Sequence, residues 1–332
     1  MRIECIAYTD QGLEIGQKLA DRLAVDHDIG LVRSGRDAGC RDWTARHFGS
    51  ADALVYIGAV GIAVRSVAPH IRNKLTDPAV LAIDTTGAYV IPLLSGHVGG
   101  ANRLARRMAD ILGAEPIITT GTDRLGHTAI DEWAALRGLT IANPKAIVKV
   151  SAKLLRGERA TLRSDFPLAG SLPDDLAYTD NTPDIAIDCR LDAPAGALHL
   201  VVPALTLGIG CRRGTPTEAI ETAYVNFMED NGLHPAAVGR VASIDLKADE
   251  SGLLAFCKGR GLSFVTYPAG VLAALPGDFT SSDFVRETTG VGNVCERAAA
   301  MQGGTIIAPK TAMGGITLAL ARGDYPLSFE ET

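Results

Sequence analysis

Apolar and polar positions alternate along the first 120 residues in a way that predicts strands and helices in turn. Short apolar runs typical of strands cover residues 2–8, 53–57, 79–84, 88–94 and 116–120. Helical spacing marks residues 12–24, 60–68 and the stretch that ends at Gly113. Thr85-Thr86-Gly87 is a turn signal between two of the strands, so these strands are predicted to form a hairpin. The alternation is typical of an α/β domain.

The pattern becomes irregular over residues 128–203 and then resumes. The irregular part has helical spacing at 128–138 and 144–157, stretches rich in Pro, Asp and Ser, and one strand at 184–191. Later predicted strands cover 204–210, 240–245, 262–267, 305–310 and 315–321. Thr215, Pro216 and Glu218 predict a helix with Thr at the N-cap, Pro at N1 and Glu at N3. Further helices are predicted near 249–258, 269–275 and 293–302.

These elements predict an α/β fold with two doubly wound lobes, mainly parallel sheets and a small α+β middle segment. The predicted domains are residues 1–127, 128–203 and 204–325, and a ligand is expected in the cleft between the lobes. Hydrophobic residues make up 47% of the chain and aromatic residues only 5%. This composition suits parallel strands packed closely against helices.

Charge and cysteine usage exclude several classes of protein. The net charge of -6 argues against a non-specific nucleic-acid binder, which needs a basic face, but a local basic pocket for an anionic small molecule is compatible with it. The 6 cysteines form no C-x-x-C pair, so neither a zinc knuckle nor a disulfide framework is predicted. The charged N-terminus lacks the apolar core of a signal peptide, and no uncharged apolar run reaches about 18 residues. We expect a reduced, cytoplasmic enzyme without nucleic-acid or membrane partners.

Two glycine-rich junctions are candidate ligand sites, because open α/β sheets bind ligands at the carboxyl ends of strands. The first, Gly58-Ala59-Val60-Gly61, also suits a simple tight turn. The second runs from Gly208 to Gly214 with the spacing G-x-G-x-x-x-G, one residue longer than a dinucleotide fingerprint. Its arginines, Arg212 and Arg213, either bind an anion beside a helix N-terminus or lie solvated.

A third junction, from Ser95 to Asn102, surrounds His97 with glycines. Histidine titrates near neutral pH and can transfer protons, and the helix that follows favours a carboxylate or an oxyanion at its N-terminus. A lone histidine is usually a satisfied surface or core residue. Its place on a glycine-rich strand end nevertheless favours a functional role for His97.

Several stretches together resemble the CbiG family, the cobalt-precorrin-5A hydrolases of the oxygen-independent cobalamin pathway. The stretches similar to the family's N-terminal domain are VGIAVRSVAPHIRNKLTDPAVLAID, GAYVIPLLSGHVGGANRLA and PIITTGTD. The stretches similar to its C-terminal domain, which CobE proteins of the aerobic pathway share, are LGIGCRRGTPTEAI, ASIDLKADESGLL, VGNVCERAA, APK and GGITLALAR. The resemblance covers about residues 50–125 and 204–322.

The resemblance implies a hydrolase that acts on a cobalt-containing tetrapyrrole with many carboxylates. Water would open a δ-lactone between the ring A acetate and the extruded carbon, and a retro-aldol-like step would release acetaldehyde and give cobalt-precorrin-5B. Lactone hydrolysis needs a base near water and donors for an oxyanion. Cobalt belongs to the substrate, so no metal site and no cofactor of the protein's own is expected.

The resemblance also assigns roles to residues of the matched stretches. His97 is the best base in the sequence, and the amides of Gly99 and Gly100, with Ser95 or Asn102, are the expected oxyanion donors. Glu296 is a further acid or base. The residues expected to contact the substrate, including cations for its carboxylates, are Gly61, Arg65, Lys74, Gly99, Gly100, Gly210, Arg212, Arg213, Lys247, Glu296 and Lys310.

Several alternatives stay open. A Cys211 thiolate beside the arginines and near a helix N-terminus would have a lowered pKa, which makes covalent catalysis an alternative to direct attack by water. The macrocycle could dock at the His97 loop or at the arginine loop. The chain could instead be a non-catalytic corrinoid carrier, or a nucleotide- or sugar-phosphate-binding enzyme that uses residues 208–214. A homodimer and transient contacts with other cobalamin-pathway enzymes also stay open.

Overall fold

The computed structural model describes residues 1–73, 76–96, 99–119, 127–281, 286–287 and 289–330. The chain divides into two compact units. The N-terminal unit is Met1–Ala135 with Leu154–Gly157, and the C-terminal unit is Leu136–Lys153 with Glu158–Thr332. The domain boundaries predicted after residues 127 and 203 stay predictions.

The N-terminal unit is built on a six-stranded sheet. Its strands are β1 (Arg2–Ala7), β2 (Asp28–Arg33), β3 (Ala53–Ile57), β4 (Ala79–Ile83), β5 (Tyr89–Leu94) and β6 (Glu115–Pro116). Its helices are α1 (Asp10–Leu23), α2 (Cys40–His47), α3 (Val60–Val67), α4 (Ala101–Leu112) and α5 (Ile130–Leu136), the last of which crosses the boundary between the units. The strand order is β2-β1-β3-β4-β5-β6, and β1 to β4 are mutually parallel.

Alternate residues of β1 bury against helices on opposite faces of this sheet. Ile3 and Cys5 belong to the core that α1 and α4 cover, while Ile6 belongs to the core that α2 and α3 cover. Helices on both faces of a mainly parallel sheet confirm the doubly wound fold expected for this part of the chain.

The predicted hairpin is also confirmed, because β5 pairs antiparallel with β4. Asp84 stabilises the turn by accepting hydrogen bonds from the backbone N–H groups of Thr86 (2.9 Å) and Tyr89 (2.7 Å). Because β5 runs antiparallel, the chain leaves it at the end of the sheet that carries the N-termini of β1 to β4. The loop after β5 is therefore at the opposite end of the sheet from the loops that follow β1 to β4.

The middle segment forms a sheet of its own within the C-terminal unit. Its elements are β7 (Thr140–Ile141), α6 (Ile147–Leu155), β8 (Ala160–Ser164), β9 (Leu168–Ala169), β10 (Leu176–Tyr178), β11 (Ile185–Asp188) and β12 (Leu198–Val201). The order is β10-β8-β11-β12-β7, with only β7 antiparallel, and β9 pairs separately with β18 (Leu327–Ser328). A buried hydrogen bond joins neighbouring strands, with Asp188 Oδ1 2.9 Å from His199 Nε2. The segment thus combines helix and sheet, and its mainly parallel sheet agrees with the mainly parallel sheets predicted for the chain.

A second five-stranded sheet occupies the rest of the C-terminal unit. Its elements are β13 (Leu205–Cys211), α7 (Thr217–Asp230), β14 (Val238–Ile244), α8 (Ser251–Arg260), β15 (Ser263–Tyr267), α9 (Ala269–Ala274), α10 (Cys295–Ala300), β16 (Thr305–Met313) and β17 (Ile316–Arg322). The order is β15-β14-β13-β17-β16. Strands β13, β14 and β15 are parallel, and β17 runs antiparallel to both of its neighbours.

The predicted start of α7 is wrong by one residue. The helix begins at Thr217, and Pro216 is its N-cap. Thr215 does not cap it, because its hydroxyl donates to the carbonyl oxygen of Arg212 (2.7 Å) and closes the preceding turn instead. The arginine loop, residues 212–216, is therefore folded on itself before the helix starts.

Candidate functional site

Four predicted site residues meet at one edge of the C-terminal sheet. Cys211 ends β13, Arg212 and Arg213 follow it, and Lys247 lies in the short 3-10 helix that follows β14. The β16–β17 turn reaches the same edge, because Cys211 pairs with Ile316 at the start of β17. Parallel strands bring their carboxyl ends together, which explains why residues 35 positions apart become neighbours. We call this group, with Glu250, the strand-edge cluster.

The two arginines of the cluster are in different situations. Both are exposed. Arg213 is paired with Asp249, with Nη2 3.1 Å from Oδ1, and both side chains are about 70% exposed. Arg212 packs beside the backbone of Gly315, and no ion-pair partner for it is found among the described residues. Arg212 is therefore the cation most available to an anionic ligand.

Lys247 is held much more firmly than the arginines. Its ammonium lies 3.3 Å from Oε2 of Glu250, and the side chains of Lys247 and Glu250 are 14% and 3% exposed. The other carboxylate oxygen of Glu250, Oε1, accepts a hydrogen bond from the backbone N–H of Gly214 (2.8 Å). Sequence reasoning missed Glu250, because an acidic residue in the run Asp245 to Glu250 looks like part of a solvated surface.

The lowered pKa expected for Cys211 is wrong. Burial raises the pKa of this thiol, and the nearby Glu250 carboxylate raises it further. The opposing cation is Lys247, which lowers it by less than burial raises it. Covalent catalysis by Cys211 thereby loses the physical argument that suggested it.

Gly208 and Gly210 of the Gly208–Gly214 pattern serve packing. Gly208 and Gly210 lie inside β13 and not in a loop. A Cβ on Gly208 would lie 1.8 Å from the carbonyl oxygen of Cys295 in α10, and one on Gly210 would lie 2.7 Å from the Thr317 hydroxyl. Close packing of a helix and a side chain accounts for these glycines. The structure gives no support to Gly210 as a substrate contact or to a dinucleotide site.

Glu296 and Lys310 form a different cluster, at the start of α10. The Glu296 side chain is 3% exposed. It accepts hydrogen bonds from Thr280 N (2.8 Å), Thr280 Oγ1 (2.9 Å), Asn293 Nδ2 (2.8 Å) and Lys310 N (2.7 Å). A bulge in β16 between Ala308 and Thr311 turns the Lys310 N–H towards the carboxylate. These hydrogen bonds show that Glu296 holds loops together, and the acid–base role expected for it stays a prediction.

The described residues of the loop after β5 show a tightly constrained backbone. Ser95 has a φ of 56°, and a Cβ on Gly99 would lie 2.3 Å from Cβ of Ser95, so glycine is required there. Gly100 has a φ of 77° and precedes α4. His97, the predicted base, lies outside the described residues.

The two polar residues that flank His97 are committed to structure. The Ser95 hydroxyl donates to the carbonyl oxygen of Asp77 (2.9 Å), which argues against the role of oxyanion donor expected for it. Asn102 is 2% exposed, and its side chain packs against Gly96. These contacts constrain Ser95, Gly96 and Asn102, which are described residues at the two ends of the loop.

Gly61 and Arg65 lie at the other edge of the N-terminal sheet. They follow β3, whereas the Ser95–Asn102 loop follows the antiparallel β5. Arg65 is exposed and donates to the carbonyl oxygen of Gly61 (3.1 Å). Lys74 lies outside the described residues. The fold therefore does not bring the two predicted groups of the N-terminal unit together.

The carboxyl edge of the N-terminal sheet carries polar residues that sequence reasoning missed. Strand order reverses between β1 and β3, which is where open α/β sheets form a ligand crevice. Next to it, the Tyr8 hydroxyl lies 2.8 Å from Cys40 Sγ, which lies 3.0 Å from Ser66 Oγ. Burial raises the pKa of Tyr8, so its phenol stays protonated at neutral pH. The sequence alone could not predict this polar group, because its residues are far apart in the chain and only the strand order brings them together.

A cavity of about 940 Å³ in the C-terminal unit lies away from the strand-edge cluster. It is lined in part by Tyr224, Val238 and Arg260, where α8 ends and β14 begins. Arg260 there is committed to Glu221, with Nε 2.9 Å from Oε2, and stacks over Tyr224 at 4.5 Å. A cavity whose cation is already neutralised suits a polycarboxylate less well than the strand edge with its available Arg212.

No group of three or more His, Cys, Asp or Glu side chains within the described ranges is arranged to hold a metal ion. None of the helices in that part of the chain is long and apolar enough to cross a membrane.

Fold and site together define an α/β protein whose basic strand edge suits an anionic small molecule. Family models described as cobalamin synthesis G N-terminal and cobalamin synthesis G C-terminus match residues 42–123 and 205–321. The cobalt-precorrin-5A hydrolase of Salmonella typhimurium is 36% identical over 320 residues, covering 92% of this chain and 89% of the relative. The chain belongs to the CbiG family, and its role is in cobalamin biosynthesis.

Two further relatives agree with this assignment. The cobalt-precorrin-5A hydrolase of Priestia megaterium is 30% identical over 298 residues, which cover 82% of this chain and 79% of the relative. The protein CobE of a Sinorhizobium species is 32% identical over 121 residues, 35% of this chain and 79% of the relative. The predicted resemblance to the CbiG family, and of the C-terminal part to CobE, is thereby confirmed. The names of the Salmonella typhimurium and Priestia megaterium relatives indicate a hydrolase.

Proposed function

We propose that this chain is a cobalt-precorrin-5A hydrolase that opens the ring A acetate δ-lactone, releases acetaldehyde and leaves cobalt-precorrin-5B. The observation that carries the proposal is the 36% identity to the Salmonella hydrolase over 92% of the chain. The strand-edge cluster supports it, because a substrate rich in carboxylates needs fixed cations. Cobalt enters with the substrate, and we propose no further metal or cofactor. The cytoplasm as location, the homodimer and contacts with other pathway enzymes stay predictions.

In the proposed first step, water adds to the lactone carbonyl. His97 takes a proton from the water, and the backbone amides of Gly99 and Gly100 donate to the oxyanion that forms. The ring oxygen then leaves as an alkoxide and becomes a hydroxyl by taking the proton back from His97. We propose water as the nucleophile in preference to Cys211, because burial raises the pKa of that thiol.

In the proposed second step, the new hydroxyl group loses its proton to His97 and the neighbouring C–C bond breaks. The oxygen forms the carbonyl of acetaldehyde, and the electron pair of the broken bond passes into the conjugated macrocycle. Arg212 and Lys247 are the proposed cations of the C-terminal unit for peripheral carboxylates of the substrate. Further proposed cations are Lys74, Arg213 and Lys310. Arg65 is not among them, because it lies at the end of the N-terminal sheet opposite to the Ser95–Asn102 loop.

Turnover by the purified chain tests the proposal. We expect catalytic amounts of protein to convert cobalt-precorrin-5A with one acetaldehyde released per macrocycle, measured by a coupled alcohol dehydrogenase assay. Binding at a 1:1 ratio without acetaldehyde would contradict hydrolysis and favour the corrinoid carrier. Stabilisation by nucleotides but not by corrinoids would contradict both.

Replacing Arg212 with Gln is expected to raise KM for the macrocycle about tenfold and to leave kcat within about threefold. The reason is that a charge-assisted hydrogen bond to a peripheral carboxylate acts equally before and during the reaction. Lys258→Gln is the matched control, because Lys258 is an exposed cation in the last turn of α8, away from the strand edge. Equal KM values for the two variants would contradict a role for Arg212 in binding.

A further inference from the structure

Glu250 is a carboxylate in an unusual position for a charged residue. Its side chain is 3% exposed, although it is the N-cap of α8 beside a polar loop. Taking a carboxylate out of water is costly unless charges and hydrogen bonds compensate it. Here Lys247 supplies the charge at 3.3 Å, and the Gly214 N–H supplies a hydrogen bond of 2.8 Å. Glu250 therefore ties two separate segments of the strand edge to one helix.

The start of α8 is locked to the arginine loop at further points. A Cβ on Gly252 would lie 2.1 Å from the carbonyl oxygen of Thr215, so the two backbones are in contact. The Thr217 hydroxyl donates to the carbonyl oxygen of Gly252 (3.2 Å). These contacts fix the arginine loop at Gly214 and at the residues that follow it. Among the described contacts between the loop and the start of α8, only the one from Glu250 involves a charged side chain of the helix.

Asp249, the neighbouring acid, provides an internal comparison. It pairs with Arg213, but both side chains are about 70% exposed. Water therefore screens the pair, and little packing restricts the two side chains. Lys247 and Glu250 are buried side by side and lose that freedom. A lysine held in one orientation before a ligand arrives loses less conformational entropy on binding than an unrestrained one.

We propose that Glu250 is a positioning residue of the strand edge. Its buried carboxylate orients the Lys247 ammonium and fixes the Gly214 end of the arginine loop, so that Lys247 is the pre-oriented cation for one substrate carboxylate. The inference rests on the proposed function for the identity of that substrate. Both oxygens of Glu250 are already engaged, so it acts through Lys247 and Gly214 and not on the substrate itself.

The Cys211 thiol offers a readout that needs no substrate. Glu250 raises the pKa of this thiol and Lys247 lowers it, so both charged groups act on it in the folded chain. Glu250→Gln keeps an oxygen for the Gly214 N–H and removes the charge. We expect Glu250→Gln to lower the pH midpoint of Cys211 alkylation, followed on the Cys211 peptide by mass spectrometry. Lys247→Met should raise the midpoint, and Asp249→Asn, the matched control, should leave it in place.

Steady-state kinetics and binding then test the positioning role. Glu250→Gln is expected to raise Kd and KM for cobalt-precorrin-5A about tenfold, with kcat within about threefold, whereas Asp249→Asn should raise neither. A fall in the folded fraction without a change in Kd would reduce Glu250 to a structural residue and overturn the proposal. The proposal would also be overturned if Glu250→Gln and Lys247→Met shifted the pH midpoint of Cys211 alkylation in the same direction.

The design separates this inference from the proposed hydrolysis. If the unaltered chain binds the macrocycle without releasing acetaldehyde, the hydrolase proposal fails, and the inference is still judged by Kd. If the unaltered chain turns over normally and Glu250→Gln has normal Kd and KM, the inference fails and the hydrolase proposal stands.

Discussion

Replacing His97 with Ala is expected to lower kcat for acetaldehyde release by about 10²–10⁴-fold, the range that general acid–base groups contribute. Binding of the macrocycle should change little, because the proposed cations for its carboxylates are elsewhere in the chain. The physical reason is that lactone hydrolysis needs a proton acceptor near neutral pH, and His97 is the titratable residue of a glycine-rich loop. Acetaldehyde formation and spectroscopic titration of the macrocycle measure the two quantities separately.

His27→Ala is the matched control for His97→Ala. His27 follows α1 and contacts the carbonyl oxygen of Asp26 with Nδ1 (2.7 Å), so its loss should leave kcat unchanged. A His97→Ala variant with nearly normal kcat would remove the loop after β5 from the chemistry. The contribution of the N-terminal unit would then be sought at the crevice between β1 and β3, near Tyr8 and Cys40.

Local sequence signals predicted much of the fold. The hairpin of β4 and β5 follows from Thr85-Thr86-Gly87, because turn residues act over a few positions. The short strands β8, β10 and β12 were missed, since stretches of three to five residues with polar neighbours give little periodic signal. The start of α7 was misplaced because Thr215 bonds backward to Arg212, a competition between local hydrogen bonds that spacing does not reveal.

The candidate site was predicted less completely than the fold, for a topological reason. The sequence showed three glycine-rich junctions after strands, but not the direction of each strand in its sheet. The antiparallel β5 places the Ser95–Asn102 loop at the edge opposite to Gly61 and Arg65, and only the pairing reveals this. In the same way, Glu250 was overlooked because its burial depends on Gly214, 36 residues away in the chain.

Gly208→Ala tests the packing that positions β13 beneath the strand-edge cluster, and we expect it to lower the free energy of unfolding by about 3 kcal/mol. The added Cβ would lie 1.8 Å from the carbonyl oxygen of Cys295 and 2.7 Å from its carbonyl carbon. Backbone atoms cannot rotate away as a flexible side chain does, so α10 must shift off the strand. Urea unfolding followed by circular dichroism gives the change in free energy, and hydrogen exchange of peptides from β13 and α10 shows where protection is lost.

Gly259→Ala is the matched control, with the opposite expected sign. Gly259 lies within α8, and a Cβ added there meets no atom within 4 Å. Alanine in a helix restricts the unfolded chain more than glycine does, so this variant should be more stable by about 0.5–1 kcal/mol. Because both variants add one methyl group, opposite shifts of the urea midpoint assign the loss in Gly208→Ala to contact between β13 and α10. A Gly208→Ala variant as stable as Gly259→Ala would contradict that contact, and the packing argument against a dinucleotide site at Gly208 would be lost with it.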